Sequence, residues 1–238
     1  MREKMNQLRE LLNEMEVIDL SHTLEENIPA WPTHARYFHN LVESYKFGNV
    51  ACHYQLIMSE HTGTHVDAPL HFIAEGEAHY GIEQVPLTTF YGRAATIQAT
   101  GLGENGILTR KHIEDWEQEN GNLESGDIVL IRFGWDQLWK KRPDDKEFMS
   151  NWPGVGKEAA EYLVEKKVKV VGSDTLAIDA FNAAENPAHY ALLGNEILIM
   201  ENLKNLDQLP PFSFFFGFPL KIKDGSGSPI RAVAYVSR

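Results

Sequence analysis

The second half of the chain alternates apolar runs with segments of helical spacing, and this alternation constrains the fold more than any other feature. Three runs, DIVLIRFGW (127–135), VKVVGSD (168–174) and ILIM (197–200), have the length and composition of buried strands. The segments between them favour helices. The first half shows no such alternation. We therefore predict one α/β domain with a mixed β-sheet and flanking helices, and not a regular doubly wound fold.

Helix signals in the sequence are clear at four places. Near the amino end, Leu8, Leu11, Leu12 and Met15 repeat at helical spacing and predict an amphipathic helix over residues 3–15. Further predicted helices lie after Thr109, within PGVGKEAAEYLVEKK (153–167), and between Asn186 and Gly194. We accordingly divide the chain into an amino-terminal helical segment, residues 1–16, and a main domain, residues 17–238.

Further strands are predicted from shorter patterns. They cover residues 17–22, 51–58 and 93–98, and the two runs FFFGFPLKI (214–222) and IRAVAYV (230–236) near the end of the chain. DGSGSP (224–229) has the composition of a turn, and we interpret it as the connection between the last two strands.

Composition narrows the functional classes. The 238 residues carry 22 basic and 34 acidic side chains, a net charge of −12, which argues against nucleic acids and anionic membrane surfaces as partners. The chain contains no apolar run of the roughly 18 residues that a membrane span needs. Its one cysteine, Cys52, is expected to pack within a strand. We expect a soluble protein of the cytoplasm.

The segment SEHTGTHVDAPLHF (59–72) is not explained by ordinary packing. It holds His61, His65, Asp67 and His71 within eleven positions, although the whole chain has only ten histidines. A helix would direct Asp67 away from the first two histidines, and Gly63 disfavours a helix. In an extended chain all four positions have the same parity and tend towards one side. Two imidazoles and a carboxylate can therefore converge on one point, with the third imidazole just beyond it.

Imidazole and carboxylate groups without thiolates are the ligands of catalytic Zn, Mn or Fe sites rather than of closed structural zinc sites. The pattern lacks H-E-x-x-H, so it does not match the helix-borne site of metalloproteases.

HTGTHVDAPLHF (61–72) resembles the signature of the cyclase-like metal-dependent hydrolases, a family that includes bacterial kynurenine formamidases and isatin hydrolases. The resemblance continues from IDLSHTL (18–24) to SPIRAVA (228–234) and takes in VVGSDTLAID (170–179) and HYALLGNEILIMENL (189–203). It implies the swivelling β/β/α fold of that family. The helix at the amino end lies outside the resemblance.

The resemblance also implies a role for each matching residue. His61, His65 and Asp67 correspond to primary metal ligands, with the aspartate bridging two ions in the formamidase branch. His189 and Glu201 correspond to the ligands of the second ion. His71 corresponds to the general acid/base, and Trp31 to an aromatic residue beside the substrate ring. The implied cofactor is one or two divalent ions per subunit, Zn or Mn.

Two departures from the family pattern concern the substrate. Ala177 stands where many relatives carry serine, and Phe133 where threonine is common. Asp174 and Asp179 are interpreted either as partners of ligand histidines or as caps of backbone groups. Phe72 and the FFFGF run are considered as an apolar wall for an aryl ring, although for FFFGF the favoured interpretation is plain core.

The predicted activity is hydrolysis of a C–N bond in a small aromatic amide, with N-formylkynurenine, giving kynurenine and formate, as the first candidate. The metal generates hydroxide that attacks the carbonyl carbon, and His71 carries the proton to the leaving nitrogen. Ring opening of a cyclic amide such as isatin, or of a lactone, is the alternative among hydrolases. A metal-dependent lyase or dehydratase and a non-catalytic metal-binding protein are the alternatives from other classes. The resemblance and the amino-terminal helix together predict a homodimer or homotetramer.

Overall fold

A computed structural model describes residues 2–237, which contain four α-helices and thirteen β-strands. The helices are α1 (Arg2–Glu14), α2 (Arg110–Asn120), α3 (Lys157–Lys166) and α4 (Pro187–Leu193). The strands are β1 (Met15–Asp19), β2 (Phe38–Glu43), β3 (His53–Ile57), β4 (His65–Asp67), β5 (Tyr91–Gln98), β6 (Ile107–Leu108), β7 (Ile128–Arg132), β8 (Gly154–Val155), β9 (Val170–Ser173), β10 (Leu198–Glu201), β11 (Phe212–Phe216), β12 (Gly227–Pro229) and β13 (Val233–Ser237).

Nine of these strands form one mixed sheet in the order β1-β13-β11-β5-β7-β9-β10-β4-β12. The four central strands are parallel to one another; they are β5, β7, β9 and β10. The strands on either side pair antiparallel with this group, β11 with β5 and β4 with β10. The parallel part arises from the alternating second half of the chain, since α3 links β7 to β9 and α4 links β9 to β10. The prediction of a single α/β domain with a mixed sheet is confirmed.

Alternate residues of the central strands pack into two separate cores. Val129 and Ile131 of β7 face the helices, whereas Leu130 faces a second cluster on the other side of the sheet. That second cluster also includes Ile18 of β1 and Val66 of β4. These two strands lie near opposite ends of the strand order. Both ends of the sheet therefore curl towards the same side.

The predicted helix boundaries agree closely with the structure. Thr109 caps α2 together with His112, and Gly121 ends it. Asn186 and Gly194 flank α4, with Pro187 at its first position. The amino-terminal helix spans residues 2–14, and none of its residues is buried. No helix among residues 2–237 is long and apolar enough to cross a membrane.

Two local predictions are wrong. DGSGSP is not only a connection, because Gly227–Pro229 forms β12 and pairs with β4 at the edge of the sheet. Its glycines and proline have the composition of a turn, but the pairing partner lies about 160 residues earlier and leaves no local signal. Cys52 is exposed in the loop before β3 and does not pack within a strand.

Candidate metal centre

The short strand β4 lies at the centre of the histidine-rich segment. His65 and Asp67 are its first and last residues, so their side chains lie on the same face. β4 pairs with β10, and this register places Glu201 directly opposite His65. A residue 136 positions away in sequence is thus brought beside the cluster by sheet pairing.

The extended conformation covers only part of the segment. β4 spans three residues, His61 lies in the preceding turn, and His71 closes a 3₁₀ turn that begins at Pro69. Gly63 in the preceding turn has a φ of +62°, and a Cβ there would lie 2.8 Å from Leu24. Turn geometry on both sides of β4 therefore brings the outer two histidines to the face that β4 presents.

The carboxylate of Asp67 is surrounded by imidazoles. Its Oδ1 lies 2.7 Å from Nδ1 of His61 and 3.4 Å from Nε2 of His65. Its Oδ2 lies 3.8 Å from Nε2 of His189, which projects from α4. Glu201 completes the group, with one oxygen 3.4 Å from His65 and the other 3.4 Å from His189. The five residues predicted as metal ligands are therefore brought together.

Two of the imidazoles are oriented by hydrogen bonds on their outer side. His65 donates from Nδ1 to the carbonyl oxygen of Gly63 at 2.8 Å, and His189 donates from Nδ1 to Asp179 at 2.6 Å. A neutral imidazole that donates from one nitrogen has a lone pair on the other. When neutral, both residues therefore direct the lone pair of Nε2 at the carboxylates, an arrangement typical of histidines that bind a metal in proteins.

Asp174 and Asp179, each interpreted as a partner of a histidine or as a cap of backbone groups, have different roles. Asp179 both orients His189 and accepts from the backbone N–H groups of Ala188 and His189 at the start of α4. Asp174 contacts none of the metal-centre side chains named above and accepts from three backbone N–H groups, those of residues 133, 134 and 135. Asp179 therefore acts in both predicted ways, and Asp174 only as a backbone cap.

Electrostatics at the centre favour positive charge. Burial alone would raise the pKa of Asp67, but the neighbouring His61 and His65 hold it well below its usual range. Burial alone would lower the pKa of His65, but hydrogen bonds to Asp67 and Glu201 raise it to about 10. For His189, bonds to Asp179 and Glu201 outweigh burial and likewise raise the pKa to about 10. Two buried carboxylates thus demand compensating protons or a cation.

The donor set fits a divalent cation. Oδ2 of Asp67 is buried and has no hydrogen-bond partner among residues 2–237, although an unpaired buried acceptor of this kind costs about 1–3 kcal/mol. Ligand atoms of His65, Asp67 and Glu201 all lie within 4.8 Å of one another. Imidazole and carboxylate groups are the ligands that Zn and Mn accept at catalytic sites.

His71 lies beside this group. Ligand atoms of His61, Asp67 and His71 also lie within 4.8 Å of one another, so the geometry allows His71 either a ligand role or proton transfer. Burial lowers the pKa of His71 to about 4. The imidazole is therefore uncharged near neutral pH and can accept a proton.

A cavity of about 260 Å³ opens onto the centre. Trp31, Phe72, Leu176 and Ala177 form its apolar walls, and the histidines and Glu201 form its floor. The lining includes Ala177, where the family pattern has serine, but not Phe133. Among residues 2–237 this lining includes no lysine, no arginine and no residue of FFFGF, so FFFGF does not form a cavity wall, in agreement with the favoured interpretation of that run as core. Phe215 of that run is fully buried in the core.

Three residues that line the cavity or lie beside His61 were not predicted from the sequence. His34 lines the cavity, and its buried Nδ1 has no hydrogen-bond partner in the described chain. Glu60 and Ser226 form hydrogen bonds beside His61. His34 lies three residues after Trp31, and its N–H donates a hydrogen bond to the Trp31 carbonyl oxygen. Its nearness in sequence to Trp31 was the one feature that could have indicated a place in the cavity. Ser226 had none, because it reaches the centre through β12.

A family model described as "Putative cyclase" matches residues 18–180. Among proteins with similar sequences, an isatin hydrolase of Roseibium aggregatum is 30% identical over 251 residues, covering 96% of this chain and 94% of the relative. A kynurenine formamidase of Erythrobacter litoralis is 31% identical over 217 residues, covering 90% of this chain and 91% of the relative.

Solved structures give the same picture. Isatin hydrolase A from Labrenzia aggregata, bound to benzyl benzoate, superposes with a TM-score of 0.89 at 31% identity, covering 99% of this chain and 100% of that one. A potential metal-dependent hydrolase with cyclase activity gives a TM-score of 0.73 at 25% identity, covering 94% and 98% of the two chains. The similarity therefore spans the whole domain, including the strands that build the metal centre.

Proposed function

This chain belongs to the cyclase family and is a hydrolase, and we propose that it is a metal-dependent hydrolase that cleaves the C–N bond of a small aromatic amide. His61, His65, Asp67, His189 and Glu201 are the proposed ligands of one or two divalent ions, Zn or Mn. His71 is the proposed acid/base, and Trp31 the proposed contact of the substrate ring.

One observation carries this proposal: in the part of the chain that the structure describes, Oδ2 of Asp67 is buried without a hydrogen-bond partner, within a group made only of imidazoles and carboxylates. A second carboxylate, Glu201, approaches the same imidazoles. Two buried acids this close together would repel each other without positive charge between them. A cavity with aromatic walls leads to this point, as expected of a site for a small ring compound.

When bound, a divalent ion would lower the pKa of water towards about 7 and stabilise negative charge on the carbonyl oxygen. The chain supplies the remaining functions. Trp31 and Phe72 flank the cavity and can hold an aryl ring, while Leu176 helps to exclude water. His71, uncharged near neutral pH, accepts the proton of the attacking water on its imidazole and passes it to the leaving nitrogen.

Two substrates fit this chemistry. N-formylkynurenine is the first prediction from the sequence. Its amino acid group carries a carboxylate, and the cavity lining described above contains neither lysine nor arginine to pair with it. Isatin is a neutral cyclic amide, and the likeness to isatin hydrolase A extends over nearly the full length of both chains. These two observations favour isatin as a second candidate.

The test compares both substrates with one protein preparation. Chelator-treated protein and the same protein reloaded with Zn or Mn are assayed for kynurenine release and for isatin ring opening. Metal-dependent turnover of either compound supports the proposal, and the higher kcat/KM identifies the preferred class. Metal-loaded protein that is inert towards aryl amides, lactams and lactones would contradict it and favour a binding role.

The lyase alternative is separated from hydrolysis by isotope labelling. In water enriched in ¹⁸O, hydrolysis of an amide places the label in the product carboxylate. A product without label would identify a lyase or dehydratase, in which His71 removes a carbon-bound proton.

A further inference from the structure

We propose that Glu60 and Ser226 form a positioning pair that orients His61 and fixes its tautomer, so that His61 binds metal through Nδ1 and not through Nε2. The inference rests on the proposed metal centre and adds to it two residues and a ligand atom.

Two hydrogen bonds connect Ser226 to Glu60, and a third connects Ser226 to His61. Ser226, the residue before β12, donates from its backbone N–H and from its hydroxyl group to the same oxygen of Glu60, at 2.9 and 2.7 Å. The Ser226 hydroxyl oxygen also lies 2.9 Å from Nε2 of His61. A loop from the carboxyl end of the chain and the residue before His61 thus meet on the outer side of the imidazole.

The direction of these bonds follows from the number of protons. A hydroxyl group has one proton to donate, and a carboxylate can only accept. The Ser226 proton is therefore directed to Glu60, and the hydroxyl oxygen accepts from His61. His61 must then carry a proton on Nε2.

The opposite nitrogen of the ring faces the metal centre. Nδ1 of His61 lies 2.7 Å from Oδ1 of Asp67. With Nε2 as the donor to Ser226, the lone pair of Nδ1 is directed at a carboxylate oxygen, and two acceptors this close need positive charge beside them. A metal ion held by His61 and Asp67 would supply that charge. His65 and His189 differ, because their outward bonds come from Nδ1 and leave Nε2 for the metal.

The surrounding backbone holds the pair in place. A Cβ on Gly227 would lie 2.8 Å from the Cε1 atom of His61 and 2.7 Å from the carbonyl oxygen of Val66. A Cβ on Gly225 would lie 3.2 Å from Glu60 and 3.0 Å from Ile82. Gly227 therefore permits the close approach of this loop to the imidazole, and Gly225 allows its tight packing beside Glu60.

The experiment measures zinc affinity by competition with a chelator, using folded protein checked by circular dichroism. Ser226→Ala and Glu60→Ala each remove the group that fixes the Nε2 proton, and we expect zinc to bind roughly 10- to 100-fold more weakly. Glu60→Gln retains an acceptor for the Ser226 hydroxyl group and should stay close to wild type.

Ser228→Ala is the matched control. Ser228 is a fully buried serine of β12, two residues after Ser226, and its hydroxyl group forms hydrogen bonds with Leu220 and Pro229 rather than with His61. It should lower stability without changing zinc affinity. Unchanged affinity in both Ser226→Ala and Glu60→Ala, or an equal loss in Ser228→Ala, would overturn the proposal.

Long-range ¹H–¹⁵N NMR of histidine-labelled, zinc-loaded protein reads the tautomer directly. We expect His61 to show a protonated Nε2 and a metal-bound Nδ1, and His65 and His189 to show the reverse. A metal-bound Nε2 at His61 would contradict the proposal even if the affinities change. Wild-type protein that binds no zinc would instead contradict the metal centre on which the proposal rests.

Discussion

The imidazole ring of His71 stacks on that of His61, with the ring centroids 4.0 Å apart and the planes inclined by 29°. His61 is held on its outer side by Ser226, and His71 is held by the 3₁₀ turn that begins at Pro69. The proposed proton carrier is therefore positioned by direct contact with a proposed metal ligand, and each depends on a turn beside β4.

Replacing His71 separates proton transfer from metal binding. We expect His71→Ala to lower kcat by roughly 10²- to 10⁴-fold, because the leaving nitrogen loses its proton donor, while the metal content stays at the wild-type level. Steady-state kinetics and elemental analysis of the same sample measure both. His79→Ala, at an exposed histidine outside the cavity lining, is the control. Full turnover by metal-loaded His71→Ala would refute the acid/base role, and loss of metal would assign His71 as a ligand.

Substitutions of Trp31 test where the substrate ring binds. Its side chain lines the cavity and meets Trp152 edge to face, with centroids 6.1 Å apart. Trp31→Ala should raise KM about 10-fold with a smaller change in kcat, since ring burial contributes roughly 1–3 kcal/mol to binding. Trp31→Phe should retain most of the affinity. Unchanged KM in Trp31→Ala would show that the ring binds elsewhere.

The raised pKa of Asp174 predicts that the stability of the protein depends on pH. Burial raises its pKa from 3.8 to about 7, although three backbone N–H groups oppose the shift. The folded protein therefore holds a proton on Asp174 that the unfolded chain releases, and this contribution to stability is lost as pH rises from about 4 to 7. The side chain of Asp174→Asn stays neutral at every pH. Relative to that variant, the free energy of unfolding of wild type should fall by more than about 1.4 kcal/mol over this pH range. Urea unfolding of both proteins at equal metal content tests this, and parallel curves would contradict it.

The oligomeric state can be tested through α1. This helix buries none of its residues and exposes Leu8 and Leu11 on one face. We expect light scattering to give two or four times the chain mass of 27.0 kDa, with a second copy of the chain covering this face. Leu8→Glu combined with Leu11→Glu should reduce the mass, and Gln7→Glu on the exposed surface should not. A wild-type monomer would contradict the prediction.

Local patterns in the sequence account for most of the fold. The boundaries of α2 and α4 were predictable because cap residues such as Thr109 and Gly194 act within a single turn. The central strands β7, β9 and β10 were predictable because each contains a short run of apolar residues, as burial on both faces of the sheet requires. β12 was not, because its three residues are ordered by pairing with β4 and not by their own preferences.

The same distinction applies to the site. The parity of His65 and Asp67 predicted that they share a face, and β4 places them so. His61 and His71 approach through turns, which parity does not describe. Ser226 contacts His61 from a distant part of the chain, and a single sequence contains no signal for such a contact. Asp179 was a candidate partner of a histidine, but only the structure shows that it contacts His189 and that Asp174 serves the backbone alone.

The most direct test of the metal centre is the metal content per subunit of wild type and Asp67→Ala, measured by elemental analysis after exposure to Zn or Mn. Asp67 lies between His61, His65 and His189, so its loss should remove at least one ion and weaken the binding of any other. Asp127→Ala, at a buried aspartate that pairs with Arg93 and does not line the cavity, is the control for damage to the fold. We predict one or two ions in wild type and in Asp127→Ala, and fewer in Asp67→Ala. Equal metal content in wild type and Asp67→Ala would contradict the central claim.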